Sequence, residues 1–183
     1  HVGDSVLALV RAVNESPEGA VADAVTPWLD PDHLLAYVAV ENAIAEADGF
    51  LGEFGMNNFY LYQLAGGGRF VLVPWDKDAS FVSPSWPLDR NLEANRLVGR
   101  LAADPARRAL YEATVLRAVS DYVNPRWLGP RLDTACAQVR DLGVHLEADD
   151  RAPAALLQRG LEQADEILRL FLDFQVAVPD DAE

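Results

Sequence analysis

Asp76 and Asp78 stand two residues apart, with Lys77 between them, directly after a Pro74-Trp75 step. On a regular strand residues two apart face the same way, so both carboxylates could meet one cation or a pair of cations. Magnesium takes oxygen ligands, often only one or two of them from the protein, and manganese suits the same ligand type. Asp76 has the alternative of capping its own loop, and Asp78 that of capping the segment that follows. Lys77 reads most simply as a local charge balance between two acids, with a phosphate contact as its other use. Upstream, the loop 48–58, DGFLGEFGMNN, opens on an acid, Asp48, and closes on two asparagines, Asn57 and Asn58. Asp48 could orient a hydroxyl or hold metal, or merely close a helix. The asparagines could be polar ligands or turn residues. Other chemistries find little support. His33 and His145 are isolated and not at metal-ligand spacing. No Gly-x-Ser-x-Gly turn is present for a Ser-His-Asp triad. Gly66-Gly67-Gly68 lacks the following Lys-Ser/Thr of a phosphate loop.

Those acids need an element to deliver them. Phe59-Tyr60-Leu61-Tyr62 is aromatic or branched throughout, Gly66-Gly67-Gly68 is a turn, and Arg69-Phe70-Val71-Leu72-Val73 is a second apolar run. Together they predict a hairpin, which ends at Pro74 because proline has no N–H to donate. A hairpin of this kind holds carboxylates rigidly at its exit. Tyr60, Leu61 and Tyr62 are read as core, and Trp75 as packing behind the acidic loop. Around the hairpin the patterning is helical. A first helix over 4–14 is capped by Asp4 or Ser5. A second starts at Ser16-Pro17-Glu18 and ends before Pro27. The third starts at Asp30-Pro31 and runs to about Ala47; it is apolar nearly all round and therefore central and buried, with Asp48-Gly49 as its stop. Residues 82–90 hold two prolines and read as irregular. Helices follow over 91–102, from Asp104-Pro105, from Asn124-Pro125 to about Leu142, and from about Pro153 to Phe174, with an acidic tail from Pro179. The fold class is α+β, mostly helical with one β-hairpin, in a single domain over 1–183.

Fifteen basic residues against 29 acidic ones give a net charge of −14. That balance argues against a nucleic-acid surface or an anionic membrane partner and favours a basic one, although acidity most often serves solubility. The one cysteine, Cys136, lies in a helical pattern and is expected to be a small buried apolar residue. No apolar run of about 18 residues is present to span a membrane, and no signal-peptide pattern is visible. A chain that starts at His1 is expected to be a piece of a longer one.

Asp48-Gly49, Asn58-Phe59-Tyr60-Leu61-Tyr62 and Pro74-Trp75-Asp76-Lys77-Asp78-Ala79-Ser80-Phe81, in this order and spacing, resemble the CotH kinases, the spore-coat protein H family of atypical protein-kinase-like phosphotransferases. The close match covers roughly residues 30–82. The resemblance implies a protein-kinase-like C-lobe whose hairpin carries the metal-binding loop. It also implies that ATP, with magnesium or manganese, gives its γ-phosphoryl group to Ser or Thr of a protein, a basic or Ser-rich one suiting the charge. Asp48 would be catalytic. Asp76, Asp78 and Asn58 would hold metal, Asp76 in the place of the usual DFG aspartate. Asn58, Asp76 and Lys77 would contact the nucleotide. The order helix, Asp48, loop, Asn57-Asn58, hairpin, Asp76 parallels that of ordinary protein kinases. The smaller lobe of a kinase carries a strand lysine, yet Lys77 is the only lysine here and the first 30 residues read as helical, so that lobe is expected upstream. The alternative is a non-catalytic interaction module that keeps the fold. A third reading is a metal-dependent phosphoester hydrolase. Family resemblance suggests a bacterial protein, exported or associated with the spore or cell surface.

Overall fold

The structure, a computed structural model, describes residues 2–66, 68–83 and 85–141. Its elements run α1 (Val2–Glu15), α2 (Val21–Val25), α3 (Pro31–Ala43), β1 (Phe59–Gln63), β2 (Phe70–Pro74), α4 (Arg96–Ala102), α5 (Pro105–Asp121) and α6 (Pro125–Asp141). Three starts follow from a short acceptor placed before proline, which lacks the N–H that a first turn leaves unpaired anyway. Asp30 accepts from the amides of Asp32 and His33 at 3.0 and 3.1 Å. Asp104 accepts from Ala106 N–H at 2.8 Å, and Asn124 from Trp127 N–H at 3.0 Å. α4 starts later than the 91–102 pattern suggests, because Asn95 is its cap, accepting from Leu97 and Val98. α2 begins at Val21 rather than at Pro17. Gly19, at φ +80°, turns the chain there, and Arg100 holds the Ser16 and Pro17 carbonyls at 2.7 Å each. The helix expected over 153–174 and the tail lie outside the described residues. No described helix is long and apolar enough to cross a membrane.

The chain divides into two compact units, residues 1–80 with 86–115, and residues 81–85 with 116–183. The core of the first is built on α3, whose Leu34, Leu35, Val38 and Ala39 are fully buried, as the all-round apolar pattern requires. Leu92, Val98, Leu101 and Tyr111 are buried in the same unit. Its one buried amide side chain, Asn42, donates to the Tyr111 hydroxyl at 2.8 Å and to the Arg90 carbonyl at 3.2 Å, and accepts from Trp86 Nε1 at 3.3 Å. Tyr111 in turn donates to the Leu88 carbonyl. Burial pushes the Tyr111 phenol up to about 12. In the second unit, Tyr122 and Trp127 meet edge to face at 5.5 Å and Arg131 lies over the Trp127 ring at 3.7 Å. Cys136 is exposed, not buried as its helical pattern suggests, as are most of the described residues around it on α6.

The hairpin forms where expected, as an antiparallel pair with Tyr60 opposite Val73 and Tyr62 opposite Val71. Its first strand is not the core element that was expected. Phe70 and Leu72 on β2 are buried, whereas Tyr60, Leu61 and Tyr62 on β1 are exposed. The cause is a third segment against β2. Phe70 N–H donates to the Trp28 carbonyl at 2.6 Å, and Leu29 bridges to Phe70 in parallel. This leaves β1 as the outer edge. The ladder also runs past Pro74. Pro74 faces Phe59 at a position whose ladder bonds would point outward, so its missing N–H costs no rung. The next rung forms from Trp75 N–H to the Asn58 carbonyl at 3.1 Å.

Candidate functional site

The site begins where α3 stops. Ala45 takes the left-handed conformation, φ 51°; its N–H donates to the Asn42 carbonyl at 3.1 Å, and the Glu46 N–H donates to the Glu41 carbonyl at 3.0 Å. This pair of bonds is a Schellman motif. It ends the helix at Ala43, several residues before the expected stop at Asp48-Gly49, and turns Glu46 back under the loop. The loop then folds on itself. Glu53 N–H reaches the Ala47 carbonyl at 2.8 Å, and Gly52 and Asn57 N–H reach the Gly49 carbonyl at 3.1 and 3.2 Å. Two glycines are required by space alone. A Cβ on Gly52 would lie 2.5 Å from the Ala47 carbonyl oxygen, and one on Gly49 would lie 2.7 Å from Glu41 Oε2.

Asp48 therefore sits in a closed turn, and the other end of the loop returns to it. Asn57 Nδ2 donates to Asp48 Oδ1 and Oδ2 at 3.0 and 3.1 Å, and Asn58 Nδ2 donates to Oδ2 at 2.9 Å. An ionised carboxylate only accepts, so each asparagine must turn its nitrogen toward Asp48 and its oxygen away. The result is a carboxylate held by two neutral amides, with two amide oxygens left to face something else. Asn58 accomplishes this at φ 51°, a conformation asparagine tolerates better than most residues.

The rung between Asn58 and Trp75 ties this cluster to the exit of β2, and Asp76 follows one residue later at φ 46°. Because β2 has ended and Asp76 is left-handed, the strand rule that would turn Asp76 and Asp78 to one side does not apply. Both are exposed and make no hydrogen bond or ion pair among the described residues. Asp76 and Asp78 do not join Asp48 in a ready acidic cage: no group of three or more His, Cys, Asp or Glu among the described residues could hold a metal ion. Trp75 does not pack behind the loop. It is 57% exposed and meets the Tyr60 ring edge-on at 5.4 Å. Lys77 is paired, but its partner is not a sequence neighbour. Its ammonium lies 2.5 Å from Glu41 Oε1 and 5.8 Å from the centre of the Tyr37 ring.

Sequence reasoning missed Glu41 and Glu46. Both are buried, at 4% and 2% exposure. Glu41 Oε2 accepts from Phe50 N–H at 2.7 Å, while Glu46 accepts from Asp48 N–H at 3.0 Å and from the Ser80 hydroxyl at 2.7 Å. The available signal was two acids, one near the end of α3 and one just past it, in an otherwise largely apolar stretch where an unpaired charge would be very costly. Tyr37 lies beside them. Burial first, then the charge of Glu41, holds its phenol well above the ordinary tyrosine range.

A family model described as CotH kinase protein matches residues 3–175 of the chain. No curated protein matches it.

Proposed function

Since the chain belongs to the CotH kinase family, we propose that it serves the transfer of the γ-phosphoryl group of ATP to a Ser or Thr hydroxyl of a protein, with magnesium or manganese. The observation that carries this reading is the grip of Asn57 and Asn58 on Asp48 at the foot of the hairpin that ends in Asp76. Phosphoryl transfer asks the protein chiefly for positioning and charge compensation. Asp48 suits the role of orienting the incoming hydroxyl: it is fixed by two amides, keeps lone pairs to spare, and has no cationic partner among the described residues.

The donor set suits a hard cation. Asp76 offers an exposed carboxylate without a partner among the described residues, Asp78 a second one, and Asn58 an amide oxygen that its bond to Asp48 turns away from that acid. Magnesium needs little more than one or two such ligands beside phosphate oxygens. Bound there, it would neutralise charge on the phosphates. Lys77 contributes through Glu41, with which its ammonium is paired.

Calorimetric titration of this chain with ATP, with and without magnesium, tests the reading. Magnesium-dependent binding that Asp76→Asn removes is the expected result. Equal heats from the two proteins would overturn the metal assignment, and an absence of nucleotide binding by a folded chain would favour a non-catalytic interaction module.

A further inference from the structure

The Asp48 loop and the segment carrying Asp76 and Asp78 are separate stretches of chain, and beyond the Asn58–Trp75 rung at the foot of the hairpin, three further ties among the described residues cross between them. One is of backbone, Ala47 N–H to the Ala79 carbonyl at 2.9 Å. The other two run through the buried glutamates. Glu46 bridges the Asp48 amide and the Ser80 hydroxyl, one contact on each stretch. Glu41 bridges the Phe50 amide and the Lys77 ammonium in the same manner. The two side chains flank Gly49, where a Cβ would meet Glu41 Oε2 at 2.7 Å and Glu46 Cγ at 2.8 Å. Each carboxylate thus spends one oxygen on the loop and the other on the acidic segment.

We propose that Glu41 and Glu46 are positioning residues, paired braces that set the separation of Asp48 from Asp76 and Asp78, with Lys77 and Ser80 as their anchors on the acidic segment. The inference rests on the reading of those aspartates given above, although the braces themselves are a matter of geometry. Three features set them apart from ordinary core polar groups. They grip the amides of Asp48 itself and of Phe50, two residues on. Their anchors flank Asp78 on both sides, at positions 77 and 80. The bonds of both go to the Asp48 and Phe50 backbone amides, Lys77 and Ser80, and not to the carboxylate of Asp48, Asp76 or Asp78. A carboxylate makes a stiff brace here because it accepts in two directions from one planar group, and burial removes the water that would compete for those bonds.

The test places a change on one stretch and reads it on the other. In the nitrogen-15-labelled chain, Ser80→Ala removes the anchor of Glu46, and Lys77→Met that of Glu41. Hydrogen exchange at the Asp48 amide is expected to quicken at least tenfold in Ser80→Ala, and at the Phe50 amide in Lys77→Met, while amides of α4 exchange as before. Lys77→Arg is expected to restore Phe50 protection. Ser80→Ala deletes one hydroxyl and keeps the test available should Lys77→Met not fold. Unchanged protection at Asp48 in Ser80→Ala would overturn the proposal whether or not the chain binds nucleotide. A second arm adds ATP with manganese, whose paramagnetism broadens nearby signals. In the wild-type chain the Asn58 side-chain amide and the Asp76 amide are expected to broaden together. In Ser80→Ala the Asp76 signal should still broaden while the Asn58 effect falls by half or more. Identical broadening patterns in the two proteins would also overturn the braces. Silence at both signals in the wild-type chain would instead count against the phosphotransfer reading alone.

Discussion

Asp76 holds a backbone conformation that costs an ordinary L-residue about 1–2 kcal/mol, on an exposed segment where its side chain makes no hydrogen bond or ion pair among the described residues that repays it. Stability alone would favour glycine or asparagine there. Asp76→Asn should therefore be neutral to stabilising, within about 1 kcal/mol, while phosphotransfer is lost; a denaturant melt and a phosphotransfer assay on the same preparation check the opposed directions. Asp48 differs, since its two amide donors are matched to a carboxylate. In Asp48→Asn one half of the new side chain would present N–H to N–H, so activity should fall by about 10²–10⁴, with about 1–3 kcal/mol of stability. Loss of stability without loss of rate would make Asp48 a structural acid. Tyr111 is the residue whose titration bears on the fold. Its folded ionisation lies at about 12 against an ordinary 10.0, so the neutral phenol is what the native state holds. The stability this contributes is complete below pH 10.0 and is lost as pH rises toward about 12. Thermal melts across that window should decline, and decline less steeply in Tyr111→Phe.

At the scale of elements, the hairpin's two strands make a direct comparison. Leu72 on β2 is 8% exposed and Leu61 opposite it on β1 is 37% exposed. Leu72→Ala should cost about 2–5 kcal/mol through the cavity it leaves, and Leu61→Ala about 1 kcal/mol, since much of its surface already meets water. Equal costs would mean that β1 is covered in the protein as studied. The hairpin separates local from non-local information. Both strands were legible from branched and aromatic residues around a glycine turn. Which strand faces inward was not, because that is decided by Trp28 and Leu29, some forty residues before β2. Helix starts at Asp30, Asp104 and Asn124 were legible because a cap is a contact within one turn. The end of α3 was not, because a left-handed Ala45 carries no sequence mark of the kind glycine gives. In the candidate site, Asp48, Asn58 and Asp76 were singled out by resemblance to a family motif, whereas Glu41 and Glu46 were hidden because their partners Lys77 and Ser80 lie 36 and 34 residues away.

For the molecule as a whole the governing fact is a surplus of fourteen negative charges. The ion pairs among the described residues do little to offset it. Arg69–Asp30, Arg90–Glu53 and Arg108–Glu112 each have both partners about a third or more exposed, where a pair is worth about 0–1 kcal/mol. Only Lys77–Glu41 is largely buried on both sides. Repulsion among the remaining acids should therefore outweigh attraction, and screening should stabilise the fold. Raising sodium chloride from about 0.01 to about 0.15 M shortens the screening length from about 30 to about 8 Å. The expected gain is on the order of 1 kcal/mol, or about 2–4 °C in melting temperature; a fall would mean that the ion pairs dominate. The same field will gather divalent cations all over the surface, so stabilisation by magnesium is not by itself a sign of a site. The specific part is what survives at matched ionic strength and disappears in Asp76→Asn. Calcium provides the comparison, because diffuse screening treats the two ions alike, whereas a site completed by phosphate oxygens responds to their different size and geometry. With ATP present, magnesium should raise the melting temperature beyond its ionic-strength effect in the wild-type chain and not in the variant. Equal shifts in both proteins would assign the whole effect to net charge.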